Sequence, residues 1–132
     1  MESVMEGGYK EYQMLVKELI DFFQSKGFTI KCADYEGFEV CKNVKGHELS
    51  VIARDANELT YLGLAKTDKR LDGHESREEY QVFSDIIVTS GNSIGKVVPL
   101  YIIVPERCIS RLIRVLANLG LSTRKNIHYL KV

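Results

Sequence analysis

The chain has 132 residues and a mass of 15.0 kDa, with 45% apolar and 27% charged residues, enough for one globular domain with a sizeable core. Eighteen Lys and Arg balance eighteen Asp and Glu, which excludes attachment to nucleic acid or membrane by bulk charge and confines any polyanion site to a local patch. Apolar stretches such as Leu100 to Val104 are too short to cross a bilayer, and Met1 to Lys10 lacks a basic-then-apolar leader, so a soluble, cytoplasmic chain without membrane attachment is expected.

Residues 1–8, with glycines at 7 and 8, read as a flexible lead-in to a single domain over 9–132. From Tyr9 to Lys26, Tyr12, Leu15, Val16, Leu19, Ile20, Phe22 and Phe23 recur at three- and four-residue steps, which predicts an amphipathic helix stopped at Gly27. The spacing then drops to alternation. Phe28, Ile30 and Cys32 predict a strand, Tyr35 to Gly37 a turn, Phe38 to Lys42 a second short strand and Asn43 to Gly46 another turn. Leu49 to Arg54 and Leu59 to Lys66 predict two apolar strands joined by a hairpin-length loop, Asp55 to Glu58.

After the charged stretch from Thr67, Ser76 to Phe83 fits a short helix with Tyr80 and Phe83 facing inward. Asp85 to Ser90 predicts a strand, Gly91 to Gly95 its turn, and Val97 to Val104 a buried strand in which Pro99 cannot donate to a ladder. Pro105-Glu106 opens a second helix with Ile109, Leu112, Ile113, Leu116 and Leu119 on one face, closed at Gly120. Arg107, Arg111 and Arg114 share the opposite face, and Ile127 to Val132 suits an edge strand.

Cys32, Cys41 and Cys108 form an odd set without a C-x-x-C pair, which argues against a disulfide framework or zinc ribbon and for a reducing compartment. His47, His74 and His128 are scattered, and none has a His or Cys at helical spacing. There is no Gly-rich phosphate loop, G-x-S-x-G elbow or H-E-x-x-H motif.

The informative segment is Glu48-Leu49-Ser50-Val51-Ile52-Ala53-Arg54-Asp55, a short loop, then Leu59-Thr60-Tyr61-Leu62-Gly63-Leu64-Ala65-Lys66. It resembles the core hairpin of the PD-(D/E)XK nuclease superfamily, as in archaeal Holliday-junction resolvases. There, a strand reading roughly "E-I-D-hydrophobic-I-A-R-D" precedes one ending "E-hydrophobic-K". The resemblance implies an α/β fold of the restriction-endonuclease-like kind, a mixed central sheet flanked by helices. It also places Glu48 at an acidic lead position and Lys66 at the catalytic lysine. Ser50 stands where a metal-binding Asp belongs and Leu64 where a Glu belongs. Glu18 lies near a helix carboxylate that many relatives carry.

Residues two apart on a strand share a face, so Glu48 with Ser50 and Leu64 with Lys66 are expected to converge. Mg²⁺ or Mn²⁺ in such a nuclease is held by carboxylates, and Leu64 supplies no oxygen. Glu48, Asp68 and Glu18, with Glu39 as a further donor, are the metal ligands available if the chain is active; otherwise no cofactor is expected. Lys66, Lys69 and Arg70, and the Arg107, Arg111, Arg114 stripe with Arg124 and Lys125 beyond it, are the local basic patches for branched or duplex DNA. The acidic run Asp72, Glu75, Glu78 and Glu79 suits such a surface only if it points away.

Three functions follow from these residues and the resemblance. The first is a degenerate, non-catalytic nuclease-like domain that binds nucleic acid or assembles with a partner. The second is a divalent-metal DNA endonuclease with a relocated carboxylate. The third is an interaction or dimerisation module pairing through its tail strand.

Overall fold

The computed structural model describes residues 2–89 and 94–132, with side chains from residue 8 onward. Helix α1 spans Glu2–Ser25, and strands β1 (Thr29–Ala33), β2 (Val51–Arg54) and β3 (Thr60–Ala65) follow. Helix α2 (His74–Ser84), strand β4 (Leu100–Val104), a 3-10 turn at Glu106–Cys108, helix α3 (Ile109–Asn118) and strand β5 (Ile127–Lys131) complete the order. The five strands form one sheet in chain order. β2 runs antiparallel to both of its neighbours, β1 and β3, whereas β4 is parallel to β3 and β5 to β4. The α/β class with a mixed central sheet flanked by helices is therefore the observed one.

Strand alternation divides the core into two layers. Val51, Ala53, Ala65 and Ile103 face α1, which covers them with Leu15, Val16, Leu19, Ile20 and Phe23. On the other face Leu62, Leu64, Leu100, Ile102 and Val104 pack with Tyr80 and Phe83 of α2 and Leu112, Val115 and Leu116 of α3. At Gly63 a Cβ would stand 2.6 Å from Leu19 Cδ2, so the missing side chain is what lets α1 lie this close to β3.

Several element boundaries differ from the sequence expectation. α1 begins at Glu2, so its backbone ladder runs through Gly7 and Gly8. Propagating a helix already anchored by packed turns costs only about 1 kcal/mol per glycine. Phe38 to Lys42 is not a strand: it makes one backbone bond to β1, Ala33 N–H to Glu39 O at 2.9 Å. Its apolar residues dock separately, Phe38 against the α1 layer and Cys41 in the opposite one.

Of the expected strand from Asp85, the described part stays outside the sheet: Ile86 and Val88 exchange backbone hydrogen bonds with Gly95, Lys96 and Val98 around a single bridge, Ile87 to Val97, and residues 90–93 of that segment and its turn lie outside the described residues. The apolar run from Val97 becomes strand only at Leu100, after Pro99, which serves as an acceptor for Leu62 N–H. The buried face of α3 is Leu112, Val115 and Leu116, while Ile113 is exposed. β5 lies at the sheet edge, as its sequence suggested.

The cysteine reading is overturned, since Cys32 and Cys41 are joined in a disulfide with their Cα atoms 5.0 Å apart and Cys108 is free and buried. A long return from β1 to β2, rather than a short motif spacing, brings the pair together. The argument from cysteines to a reducing compartment falls with it. No helix among the described residues is long and apolar enough to cross a membrane.

Candidate functional site

β2 starts where β3 ends, because Val51 pairs with Gly63, and the residues just beyond this pairing open into a cleft of about 830 Å³. Glu48, Ser50, Leu64 and Lys66 all line it, Glu48 and Ser50 from the approach to β2, Leu64 from β3 and Lys66 from just beyond it. α1 adds Tyr9 and Tyr12, the end of β1 adds Asp34, and Lys69, Arg70, His74, Glu75, Ser76 and Glu79 come from the segment that enters α2.

Ser50 and Leu64 are both occupied within the protein. Ser50 is 4% exposed, and its Oγ accepts the Ala65 N–H at 3.0 Å and lies 3.2 Å from the Tyr12 hydroxyl. Tyr12 itself donates to Asp34 Oδ2 at 2.9 Å, and burial pushes its phenol well above the ordinary range. Leu64 is 1% exposed and belongs to the α2–α3 core layer. The Lys66 ammonium donates to Glu79 Oε1 in an ion pair with both side chains largely buried. Glu48 is exposed at the cleft rim.

The other carboxylates expected to support a nuclease metal are elsewhere. Asp68 is taken by arginine: Arg111 Nη2 donates to its Oδ1 at 2.8 Å and also to its main-chain carbonyl, and Arg107 Nε stands 3.4 Å from Oδ2. The Arg111 hydrogen bond holds the Asp68 carboxyl below its usual range. Glu18 and Glu39 are exposed and neither lines the cleft. With Leu64 in the core, Ser50 bound to the backbone and Asp68 paired with arginine, the residues that the resemblance singles out do not form a Mg²⁺ or Mn²⁺ cage.

The basic patches divide in the same way. Arg107 pairs with Glu11 at 2.8 Å and Arg111 with Asp72 at 3.2 Å, so the first ties the 3-10 turn before α3 to α1 and the second ties α3 to the β3–α2 segment. Arg124 holds Asp85. Arg114, Lys69 and Arg70 are exposed and have no ion-pair partner among the described residues; only the last two line the cleft.

Sequence reasoning missed what α2 contributes. Glu75, Glu79 and Phe83 follow one another at i, i+4 and i+8, so they lie along one face. The inward placement of Phe83 was the signal that Glu79 points in as well. His47 meets this face from a tight turn in which Val44 and His47 exchange both backbone hydrogen bonds and Lys45 and Gly46 have positive φ. The imidazole packs edge-on against Phe83 at 6.1 Å. One donor atom each from His47, Glu75 and Glu79 lie within 4.8 Å of one another. Of the acidic run, Asp72 is paired, Glu79 is turned inward and Glu78 faces His47.

Comparison of the chain with protein-family models, with curated proteins and with solved structures returned no match.

Proposed function

We propose that this chain is a restriction-endonuclease-like domain that binds nucleic acid at the cleft without hydrolysing it. One observation carries the reading: the hydroxyl at Ser50 and the ammonium at Lys66 are both satisfied from within the protein, with apolar Leu64 beside them. A phosphodiester entering this cleft meets no carboxylate cage and no unpaired lysine at the motif positions, so the groups needed to polarise it and activate water are missing there. Lys69 and Arg70 at the rim supply positive charge suited to a phosphate backbone. The order of a helix, an antiparallel meander, a helix and then a parallel strand is in keeping with the fold that the hairpin motif implies.

Incubation of the protein with duplex, single-stranded and four-way-branched DNA in the presence of Mn²⁺ is expected to leave all three intact. Mn²⁺-dependent cleavage of any of the three by the parent chain would overturn the reading in favour of a metal-dependent endonuclease with a relocated carboxylate.

Assembly through the sheet edge is a second reading, favoured by β5, which pairs on one side only and exposes Tyr129. It predicts a dimer in sedimentation velocity that Tyr129→Lys converts to monomer; a monomer in both cases contradicts it.

A further inference from the structure

We propose that His47, Glu75 and Glu79 bind one first-row divalent transition-metal ion, with Mn²⁺ or Zn²⁺ as the natural probe, on the α2 wall of the cleft. The site uses none of the positions that the hairpin resemblance implies. Its donors come from the turn before β2 and from one face of α2, and they lie within 4.8 Å of one another. Bonds of about 2.1 Å to a common ion place donor atoms roughly 3 to 3.5 Å apart. His47 Nδ1 and Glu79 Oε2 already stand 3.5 Å apart, and Glu75, the exposed member, has the side-chain freedom to close on them.

The surroundings of the imidazole and of Glu79 independently point to an ion. Glu79 is buried and its two oxygens have different partners: Oε1 takes the Lys66 ammonium, while Oε2 faces His47 Nδ1 at 3.5 Å, longer than an N–H···O hydrogen bond. On the far side of the ring, Nε2 faces Glu78 Oε1 at 3.7 Å. A metal on Nδ1 would leave Nε2–H pointing at this carboxylate, the outer-shell arrangement that fixes the tautomer of a ligating histidine. Glu75, Glu78 and Glu79 bring three carboxylates to one imidazole, and among the described residues Glu79 alone of the three has a lysine partner, Lys66, so negative charge remains beside the ring for a cation to neutralise.

The donor chemistry selects among cations. One imidazole with two carboxylates suits Mn²⁺ or Zn²⁺, whereas Mg²⁺ and Ca²⁺ favour oxygen donors throughout. Three protein donors leave coordination positions open toward the cleft, to be filled by water or by an anionic oxygen of a bound ligand.

The test is an electron paramagnetic resonance titration of the full chain with Mn²⁺ and no nucleic acid present, so its outcome is independent of the nucleic-acid reading. One ion per chain is expected, with nitrogen modulation from the imidazole. His47→Ala and Glu75→Gln are each expected to weaken binding about tenfold or more, and Zn²⁺, but not Mg²⁺, to displace the Mn²⁺. Glu75 is exposed, so its substitution leaves the packing intact, and circular dichroism verifies that both variants are folded. Absence of Mn²⁺ and Zn²⁺ binding to the folded chain, or equal affinity in both variants, would overturn the proposal.

Discussion

The Lys66 ammonium at the end of β3 is held by the Glu79 carboxylate of α2, with the two side chains 12% and 5% exposed. The pair closes the inner wall of the cleft and fixes α2 against the sheet. Removing one member of a buried pair strands the other charge, which costs about 3–5 kcal/mol. Lys66→Met and Glu79→Gln are each expected to lose that much in urea unfolding, and the Lys66→Met/Glu79→Leu double variant to recover most of it. Additive losses in the double variant would mean that the two groups act separately.

Ser50 ties three elements through one hydroxyl and its backbone: Oγ accepts from Ala65, the N–H donates to Gly63, and the carbonyl accepts from Asp34. Ser50→Ala leaves the buried Ala65 N–H without its partner, an expected loss of about 1–3 kcal/mol. Amide hydrogen exchange at Ala65 is expected to accelerate selectively.

The Cys32–Cys41 disulfide closes a loop with a sequence separation of 9. Loop closure of this length contributes about 2–3 kcal/mol by restricting the unfolded chain. Reduction is expected to lower the urea midpoint accordingly, while a Cys32→Ser/Cys41→Ser variant is insensitive to reductant. A midpoint that reductant does not change in the parent chain would contradict this.

Asp68 links pH to the α3 contact. Its hydrogen bond from Arg111 holds the folded carboxyl below the usual aspartate range, so the unfolded chain takes up that proton first as pH falls. The stabilisation is complete above the ordinary aspartate value and is lost as the pH drops through the lower, folded one. Carbon-detected NMR titration is expected to show Asp68 titrating low, and Arg111→Gln to shift it upward toward the ordinary range, with Arg107 still beside it.

The two strong helices, the β2–β3 hairpin and the β4 strand were legible because their apolar spacing is long and regular, and Glu48, Ser50, Leu64 and Lys66 line the cleft at the open end of that hairpin. The Phe38 to Lys42 segment misled because its apolar residues alternate for tertiary reasons: Phe38 and Cys41 dock on different layers and a covalent bond holds the segment to β1. The fate of the charges was harder to read. Whether Arg111 faces solvent or Asp68 depends on where the β3–α2 segment crosses α3, which no local pattern encodes. The approach of His47 to Glu79 likewise depends on a turn separated from α2 by two strands, although the i, i+4 relation of Glu79 to Phe83 did mark the inward carboxylate.

The most direct test of the account is fluorescence anisotropy of labelled duplex, single-stranded and four-way-branched DNA across a salt series, for the parent chain and a Lys69→Glu/Arg70→Glu variant. The account predicts binding that weakens steeply with salt and is reduced at least tenfold in the variant. No binding at low salt, where phosphate contacts are strongest, or equal binding by the variant, would contradict a nucleic-acid role for the cleft.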